Sequence, residues 1–353
     1  MKQTRVLVVE DSLTVRRRLC EALSGDPAIE LVGEAADGRA AIELCRALQP
    51  DVVTLDMMLP VMNGLAATEC IMAHCPTPIL VVSSSFNRGE LFRTYDALAA
   101  GAVDVLEKPK GDEPDGAWER RLIAQVKLVA RIRVITHPRL RLAALNRPPS
   151  TPAAAAPERR TAVVAIGAST GGPGAIVEVL RGLPASLRQP ILFVLHINEP
   201  FGASFADWLD GQTGRRVAYP QDGDPVAAAT GRVVMAPPGR HLVVRDGRLR
   251  LTLDPERHSC RPSVDALFES VARDYGREAA AALLTGMGRD GAAGLLEIRR
   301  AGGLTIAQDA ATSVVHGMPR EAIALGAAER VLPLKEIGPA LGAATLAAVR
   351  DQA

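Results

Sequence analysis

The sequence predicts an α/β protein made of two doubly wound domains, each a mostly parallel sheet between layers of helices. Two observations lead to this prediction. Short apolar runs alternate with amphipathic helical stretches through residues 1–135, and the same alternation resumes after residue 160. The segment between them, residues 136–160, is rich in proline, alanine and arginine, which is typical of an exposed linker. We therefore expect domains at 1–135 and 161–350.

Length, charge and composition exclude several classes of protein. A chain of 353 residues is long enough for two domains, and 48% of its residues are apolar. The formal net charge is +1, and no basic recognition helix stands out after residue 160, so we expect no nucleic-acid partner. No apolar run approaches the ~20 residues that span a bilayer. Because Glu10 and Asp11 interrupt the first apolar run, we expect no signal peptide, no membrane insertion and a cytoplasmic location.

Five strands alternating with five helices predict a parallel sheet in the first domain. The predicted strands are 5–9, 30–35, 52–55, 79–82 and 103–106. The predicted helices lie near 13–24, 38–48, 64–74, 88–100 and 118–134. In an open parallel sheet, ligands bind at the carboxyl ends of the strands, so the residues that follow each strand are the candidates for a site.

Polar residues stand at several of these strand ends. Glu10 and Asp11 follow the first strand, and Asp56 follows the third. Three carboxylates brought close together repel one another unless a hard cation joins them, and Mg²⁺ is the natural one. Ser83 ends the fourth strand, and Lys108 follows the fifth. A hydroxyl and an ammonium group beside the carboxylates indicate phosphoryl transfer to Asp56.

These strand-end residues belong to a longer pattern in the first domain. Its members are Glu10-Asp11, Asp56, Met62-Asn63-Gly64, Ser83 and Lys108-Pro109. Over its whole length the domain resembles the receiver domain of two-component response regulators, a five-stranded flavodoxin-like fold. Two positions depart from the family pattern. Asn63 stands where such domains usually have Asp, and Val105 stands where an aromatic residue is common.

The receiver resemblance implies a phosphorylation site. Asp56 would accept a phosphoryl group from a histidine kinase, while Ser83 and Lys108 would support that group. The resemblance also implies Mg²⁺ in the receiver domain, with these ligands: Glu10, Asp11, Asp56 and the backbone carbonyl of Met58.

The second domain is also predicted as α/β. Its predicted strands are 162–166, 191–195, 233–235, 280–284 and 304–307, with a β-hairpin formed by 242–244 and 249–253. The turn after the first of these strands reads Gly167-x-Ser169-x-Gly171, the spacing of a nucleophile elbow. A helical pattern opens at about Ala175, so the turn would lift the Ser169 hydroxyl above the sheet edge beside free backbone N–H groups. A phosphate-binding glycine turn or plain packing would also explain this short motif.

A catalytic serine needs a base. His196 is the preferred candidate because it ends strand 191–195, the next strand after the one that leads to Ser169. His241 precedes a strand and is expected at the other edge or in a loop. His258 and His316 lie in predicted loops and stay open as alternatives.

A third group should orient the base and stabilise its charged form. Asp290 ends a second glycine-rich turn, which follows strand 280–284 and delivers the carboxylate to the same sheet edge as Ser169 and His196. Asp309, after another strand, is the competitor. Asp290 is favoured because its flanking glycines allow the backbone to approach the site closely.

Four runs of the second domain carry a further resemblance. They are Gly-Ala-Ser-Thr-Gly-Gly at 167–172, Arg-Pro-Ser-Val-Asp at 261–265, Leu-Thr-Gly-Met-Gly-Arg-Asp-Gly at 284–291 and Val-His-Gly-Met-Pro-Arg-Glu-Ala at 315–322. They resemble the catalytic domain of the chemotaxis protein-glutamate methylesterases, so a Rossmann-like domain is expected. With the receiver in front, the resemblance covers nearly the whole chain.

The methylesterase resemblance implies both a site and a reaction. It assigns the triad to Ser169, His196 and Asp290, and we expect backbone N–H groups near Thr170 and Met287 to hold the oxyanion. The implied reaction is hydrolysis of glutamate methyl esters on the cytoplasmic helices of chemoreceptors, together with deamidation of receptor glutamines. The implied partners are a chemotaxis-type histidine kinase and methylated chemoreceptors. This ester hydrolysis needs no cofactor.

The residues around His196 depart from the family pattern. The usual Gln-His-Met-Pro reads Leu195-His196-Ile197-Asn198 here, and Gly202 and Trp208 replace the usual Thr and Arg. We expect the surroundings that face the substrate to differ accordingly. A non-enzymatic adaptor, controlled by phosphorylation at Asp56 and carrying a degenerate esterase domain, is the alternative. The five cysteines show no metal-binding spacing and are interpreted as buried reduced thiols.

Overall fold

The computed structural model describes residues 2–84, 88–109, 116–132, 134, 160–197, 199 and 201–346. The chain divides into two compact units, Met1–Asn146 and Arg147–Ala353. Almost all of the predicted linker, and Asn198 beside the proposed base, lie outside the described residues. None of the described helices is long and apolar enough to cross a membrane.

The first unit contains a five-stranded sheet in which every pair of neighbours is parallel. Its strands are β1 (Thr4–Val9), β2 (Ile29–Ala35), β3 (Val52–Leu55), β4 (Ile79–Ser83) and β5 (Asp104–Glu107), and their order across the sheet is β2-β1-β3-β4-β5. The helices are α1 (Leu13–Ser24), α2 (Gly38–Leu48), α3 (Gly64–His74), α4 (Arg88–Ala99) and α5 (Ala117–Val129). These bounds agree with the sequence prediction to within about one residue at most ends, and α5 ends earlier than expected.

Side chains at the strand-to-helix turns explain why the helices begin where they do. Ser12 and Asn63 accept hydrogen bonds from the backbone N–H groups of Val15 and Ala66, which caps α1 and α3. Gly64 is required at the start of α3, because a Cβ there would lie 2.2 Å from the carbonyl oxygen of Asp56. Asn63 therefore fills the position where the receiver family usually has Asp, and it performs the capping that Asp would perform.

The second unit contains a seven-stranded parallel sheet and a separate antiparallel hairpin. The sheet strands are β6 (Val163–Ala168), β7 (Ile191–Leu195), β8 (Val217–Ala218), β9 (Val233–Met235), β12 (Ala279–Leu283), β13 (Leu304–Gln308) and β14 (Arg330–Leu332). Their order is β14-β13-β12-β6-β7-β9-β8. The hairpin consists of β10 (His241–Arg245) and β11 (Arg248–Thr252).

Six helices accompany this sheet in the described part of the chain. They are α6 (Gly172–Gly182), α7 (Phe205–Thr213), α8 (Val264–Tyr275), α9 (Ala292–Arg300), α10 (Met318–Ala324) and α11 (Leu334–Leu346). Helix α6 begins three residues before the predicted opening at Ala175, with Pro173 in its first turn. The two edge strands, β8 and β14, were not predicted, because two or three residues are too few for a periodic pattern. The predicted α/β class, with two doubly wound sheets, is confirmed.

Candidate functional site

Both sheets place their polar strand ends at a point where the strand order reverses. In the first sheet, β1 and β3 are neighbours while β2 lies on the other side of β1. In the second, β6 stands between β7 and β12, so the chain runs outward in both directions from it. Because crevices for ligands form beyond the carboxyl ends of strands at such switch points, each sheet has one edge suited to a site.

The switch point of the second sheet brings the elbow and the acidic turn together. Ser169 follows β6, and its backbone N–H donates to the carbonyl oxygen of Thr285, which comes two residues after β12. Gly286 lies against Ser169 so closely that a Cβ on Gly286 would be 2.8 Å from the Ser169 Cβ. Gly286 is therefore needed for close packing against Ser169. The same glycine-rich turn also carries Asp290 to this edge of the sheet.

His196 stands beside the elbow as the strand pattern predicts. Its backbone N–H donates to the carbonyl oxygen of Ala168, the residue before Ser169. Its ring Nε2 lies 2.8 Å from Asp290 Oδ2. The sequence-based choice of these two residues, which are 94 positions apart, thus corresponds to a direct side-chain contact.

Asp290 is a buried carboxylate with donors on both oxygens. The Ser263 hydroxyl donates to Oδ1 at 2.7 Å, and the Val264 backbone N–H donates to Oδ2 at 2.7 Å. The Asp265 N–H adds a bond of 3.1 Å, so the N-terminus of α8 surrounds the carboxylate. Burial opposes ionisation, but these bonds and the one from His196 outweigh it and hold the pKa of Asp290 below its usual value. The carboxylate is therefore charged.

The imidazole of His196 is held in its charged form. Burial disfavours the charge, yet hydrogen bonds to Asp290 and Cys260 raise the pKa of His196 to about 9. Since Nε2 is engaged with Asp290, proton exchange with a serine would have to use Nδ1, which lies 3.7 Å from Cys260 Sγ. In the part of the chain that the structure describes, no hydrogen bond joins His196 to the Ser169 hydroxyl. Catalytic hydrogen bonds are often long or poorly aligned before substrate binds, so the Ser169–His196 pairing stays a prediction.

Three of the competing candidates, His241, His258 and Asp309, have partners of their own, whereas the backbone of His316 pairs with that of Gly286 beside Ser169. His241 is buried at the start of β10, where its Nδ1 accepts from the Ser263 backbone N–H at 3.1 Å. His258 pairs with Asp265 at 3.0 Å. Asp309 accepts from the backbone N–H and the hydroxyl of Thr312, which makes it the cap of a local turn.

Two backbone donors stand free at the expected oxyanion position. Among the residues that the structure describes, the N–H groups of Thr170 and Met287 donate to no protein acceptor. Thr170 follows the elbow serine, and Met287 follows Gly286, the residue in contact with Ser169. Their assignment as oxyanion donors stays a prediction that this geometry favours.

Sequence reasoning missed Cys260 and misjudged Trp208. Cys260 is partly exposed, and its Sγ lies 3.7 Å from Nδ1 of His196, so the interpretation of every cysteine as a buried thiol is wrong. No local sequence pattern indicates this contact, because the two residues are 64 positions apart. Gly202 and Trp208 are both buried, and Trp208 packs against Phe205 with ring centroids 5.1 Å apart. The expectation that these two positions face the substrate is wrong, since they are packing positions.

The switch point of the first sheet holds a second polar cluster. Lys108 Nζ lies 3.0 Å from Asp56 Oδ1 and 3.0 Å from Glu10 Oε2. Carboxylate oxygens of Glu10, Asp11 and Asp56 lie within 4.8 Å of one another. Glu10 and Asp56 are buried, whereas Asp11 is exposed at the mouth of the cluster.

The electrostatics of this acidic cluster favour a bound cation. Burial, and then the neighbouring charge of Asp56, raise the pKa of Glu10 to about 7. Burial also raises the pKa of Asp56, although Lys108 acts against it. Glu10 Oε2 is buried, and the Lys108 ammonium lies 3.0 Å from it. Three clustered carboxylates, two of them buried, fit the ligand preference of Mg²⁺. The share of the Met58 carbonyl in such a site stays a prediction.

Ser83 is engaged with helix α4. Its hydroxyl donates to Glu90 Oε1 at 2.9 Å and accepts from the Thr94 hydroxyl at 3.0 Å. Glu90 also accepts from the backbone N–H and the hydroxyl of Ser84. Glu90 was not recognised in the sequence, since it lies seven residues beyond the strand end that drew attention to Ser83.

The fold and these two sites define a class of protein: a response regulator whose receiver is joined to a hydrolase-like α/β unit. Residues 6–114 match the response regulator receiver domain family, and residues 164–341 match the family described as CheB methylesterase. The chain belongs to the CheB methylesterase family.

Similar proteins are found along nearly the full length. The chain is 47% identical over 338 residues to "Protein-glutamate methylesterase/protein-glutamine glutaminase 2" of Anaeromyxobacter dehalogenans, covering 96% of each chain. It is 45% identical to the protein of the same name from Pseudomonas aeruginosa, covering 95% of each. Among solved structures, the Thermotoga maritima CheB methylesterase catalytic domain is 35% identical, with a TM-score of 0.49, covering 52% of this chain and 98% of that one.

Proposed function

We propose that this protein hydrolyses γ-glutamyl methyl esters on chemoreceptor cytoplasmic helices, and deamidates receptor glutamines, under the control of phosphorylation. The observation that carries the proposal is the contact of the partly buried His196 with the buried Asp290, 2.8 Å apart, at the sheet edge where the glycine elbow presents Ser169. The relatives that match nearly the whole chain are named for these two activities. The domain bounds we propose are 1–135 for the receiver, 136–160 for the linker and 161–350 for the esterase.

The proposed reaction is acyl transfer through the serine. Nδ1 of His196 takes the proton from the Ser169 hydroxyl, whose oxygen attacks the ester carbonyl. The N–H groups of Thr170 and Met287 hold the oxyanion, and loss of one such donor typically costs ~10²–10³ in rate. The imidazolium then protonates the leaving group, so that the methoxy group departs as methanol or, for a glutamine, the amide NH2 departs as ammonia. Water hydrolyses the acyl-enzyme to the glutamate carboxylate, and the chemistry asks for no cofactor.

The receiver is proposed to regulate this reaction. Asp56 is the phospho-acceptor, and Ser83 and Lys108 contact the phosphoryl group, which a chemotaxis-type histidine kinase supplies. Glu10, Asp11, Asp56 and the Met58 carbonyl would hold Mg²⁺, which offsets phosphate charge when it is bound. We place the protein in the cytoplasm, with methylated chemoreceptors as its substrate partners, no nucleic-acid partner and no direct insertion into the membrane. The non-enzymatic adaptor is not favoured, because an adaptor would have no use for an oriented histidine–aspartate pair.

Replacement of the nucleophile tests the esterase directly. Ser169→Ala should abolish methanol release from a methylated chemoreceptor, because the hydroxyl that forms the acyl-enzyme is gone. The far-ultraviolet circular dichroism and the melting temperature should stay close to those of the parent protein. Unchanged methanol release from a folded Ser169→Ala variant would refute acyl transfer through Ser169. Release of ammonia from a receptor glutamine, measured in the same two proteins, tests the deamidase activity.

A further inference from the structure

The imidazole of His196 has a second neighbour besides Asp290. Cys260 Sγ lies 3.7 Å from His196 Nδ1, on the ring nitrogen opposite the one that contacts Asp290. Donor atoms of His196, Cys260 and Asp290 all lie within 4.8 Å of one another. A thiol, an imidazole and a carboxylate are the ligand types that Zn²⁺ prefers in proteins.

The distance between the sulfur and the nitrogen suits a shared metal ion. Zinc–sulfur and zinc–nitrogen bonds of ~2.3 and ~2.0 Å at a tetrahedral angle place the two ligand atoms about 3.5 Å apart. The observed 3.7 Å therefore needs little movement of either side chain. We propose that a thiophilic divalent cation, for which Zn²⁺ is the probe, binds between Cys260 Sγ and His196 Nδ1 and inhibits the esterase. This inference rests on the proposed role of His196 as the base.

Asp290 would act on this metal through the histidine. Both its oxygens already accept hydrogen bonds from Ser263 and from the first turn of α8, so it is not needed as a ligand. Its contact with Nε2 fixes the orientation of the ring and turns Nδ1 toward Cys260, so that loss of the Nδ1 proton would leave a lone pair facing the sulfur. A carboxylate that holds the far nitrogen of a metal-binding histidine is a common feature of zinc sites, and it raises the basicity of the ligand.

Cys260 is held in place by anchored neighbours. The backbones of Arg257 and Cys260 exchange two hydrogen bonds, of 3.1 and 2.8 Å, around a two-residue turn. The Arg257 guanidinium makes two bonds of 2.6 Å with Glu269 on α8. His258 contacts Asp265, at the start of the same helix. Since α8 also surrounds Asp290, the helix that orients the histidine supports the turn that carries the thiol.

Inhibition follows from competition for one lone pair. The proposed base uses Nδ1 to accept the Ser169 proton, and a metal on Nδ1 removes that acceptor. Two protein ligands leave the remaining coordination positions to water, so the cation is held more weakly than in the four-ligand structural zinc sites and can be removed by a chelator.

The first experiment measures methanol release against buffered free Zn²⁺, with Mg²⁺ in excess to occupy the receiver carboxylates. We expect reversible inhibition of the parent protein, relieved by a chelator. Cys260→Ser, which keeps the size of the side chain and loses the soft ligand, should need at least tenfold more Zn²⁺ for half inhibition. Cys70→Ser, a partly exposed thiol of the first unit, is the matched control and should behave as the parent. Equal inhibition of the parent and Cys260→Ser would overturn the proposal.

A second experiment reads binding without catalysis. Co²⁺ added to Ser169→Ala should give the near-ultraviolet sulfur-to-cobalt absorption, and the Ser169→Ala/Cys260→Ser double variant should lack it. Absence of a Cys260-dependent band would overturn the metal site even if the esterase proposal holds. Absence of methanol release from the metal-free parent would instead refute the proposed function and leave the cobalt measurement valid.

Discussion

Asp290 is the centre of the hydrogen-bond network in the proposed esterase site. Four groups donate to it: His196 Nε2, the Ser263 hydroxyl and the N–H groups of Val264 and Asp265. A buried charge is tolerated only when its hydrogen-bonding capacity is filled, so these donors fix the position of the carboxylate. His241 extends the arrangement, because its Nδ1 accepts from the Ser263 backbone. Ser263 is therefore a positioning residue for the histidine.

Ser263→Ala should weaken catalysis, although Ser263 acts on the histidine through Asp290 and not on the substrate. Loss of a hydrogen bond to a buried charge costs about 1–3 kcal/mol, and we expect kcat/KM for methanol release to fall roughly 10- to 100-fold. With one donor gone, the carboxylate interacts more strongly with the imidazolium. The alkaline shift of the pH profile that results would distinguish loss of positioning from simple loss of fold.

Ser270→Ala is the matched control for Ser263→Ala. Ser270 is buried in α8, the helix that begins directly after Ser263. Its hydroxyl donates to the carbonyl oxygen of Leu267 and accepts from the Val244 N–H, away from Asp290. The Ser270→Ala variant should have a lower melting temperature than the parent protein and an unchanged pH profile of kcat/KM. An equal loss of activity in both variants, with unchanged pH profiles, would contradict the positioning role.

The pKa of His196 predicts an alkaline pH dependence. A base must be neutral to accept a proton, and the raised pKa, about 9, keeps the imidazole protonated at neutral pH. We therefore expect kcat/KM to rise with pH, to reach half of its plateau near pH 9 and to level off above that pH. Two pH units below such a pKa only about 1% of the imidazole is neutral, so activity at pH 7 should be about a hundredfold below the plateau. A profile already level at pH 7 would contradict this assignment.

At the scale of elements, the strand ends were predictable and the contacts between them were not. Apolar runs that stop at Leu195 and Leu283 are visible in the sequence, and parallel pairing then brings the residues that follow them to one edge. The helix N-terminus at Ser263 lies within the Arg-Pro-Ser-Val-Asp motif at 261–265, but no periodicity indicates that it surrounds Asp290. The Cys260–His196 contact depends on how a loop packs on a distant strand, which local patterns do not encode.

Glu90 on helix α4 accepts a hydrogen bond from Ser83 at the end of strand β4, and this contact can be tested by substitution. The single proton of the Ser83 hydroxyl is donated to Glu90, so it must change partner to reach a phosphoryl group on Asp56. Glu90→Ala removes this competing acceptor. We expect half-maximal phosphorylation by a small phosphodonor at a concentration roughly three- to tenfold lower, in proportion to the loss of one hydrogen bond.

Glu69→Ala, on the exposed face of α3, serves as the control for Glu90→Ala and should respond to phosphodonor like the parent. If Glu90→Ala needs more phosphodonor than the parent, Glu90 would be a support for the phosphorylated state rather than a competitor of it.

At the scale of the whole molecule, both units place their polar residues at the switch point of a parallel sheet, but the residues differ in chemistry. Each parallel sheet changes its strand order at one point, and there the chain places carboxylates with a lysine in one unit and a serine, histidine and aspartate in the other. The sequence predicted both because strand ends can be read from hydrophobic runs. It missed the edge strands β8 and β14, which contribute too few residues to produce a pattern.

Because the two sites are chemically independent, Mg²⁺ removal and Asp56→Asn should separate regulation from catalysis. Lys108, Glu10 and Asp11 cluster around Asp56, the proposed phospho-acceptor, whereas all the residues proposed for ester hydrolysis belong to the second unit. In the parent protein, EDTA should leave basal methanol release intact and abolish its response to a phosphodonor. Asp56→Asn should keep the basal rate and show no response with Mg²⁺ present. A phosphodonor response in Asp56→Asn equal to that of the parent would exclude control through this carboxylate, and a basal rate lost with EDTA would place a metal in the hydrolytic step.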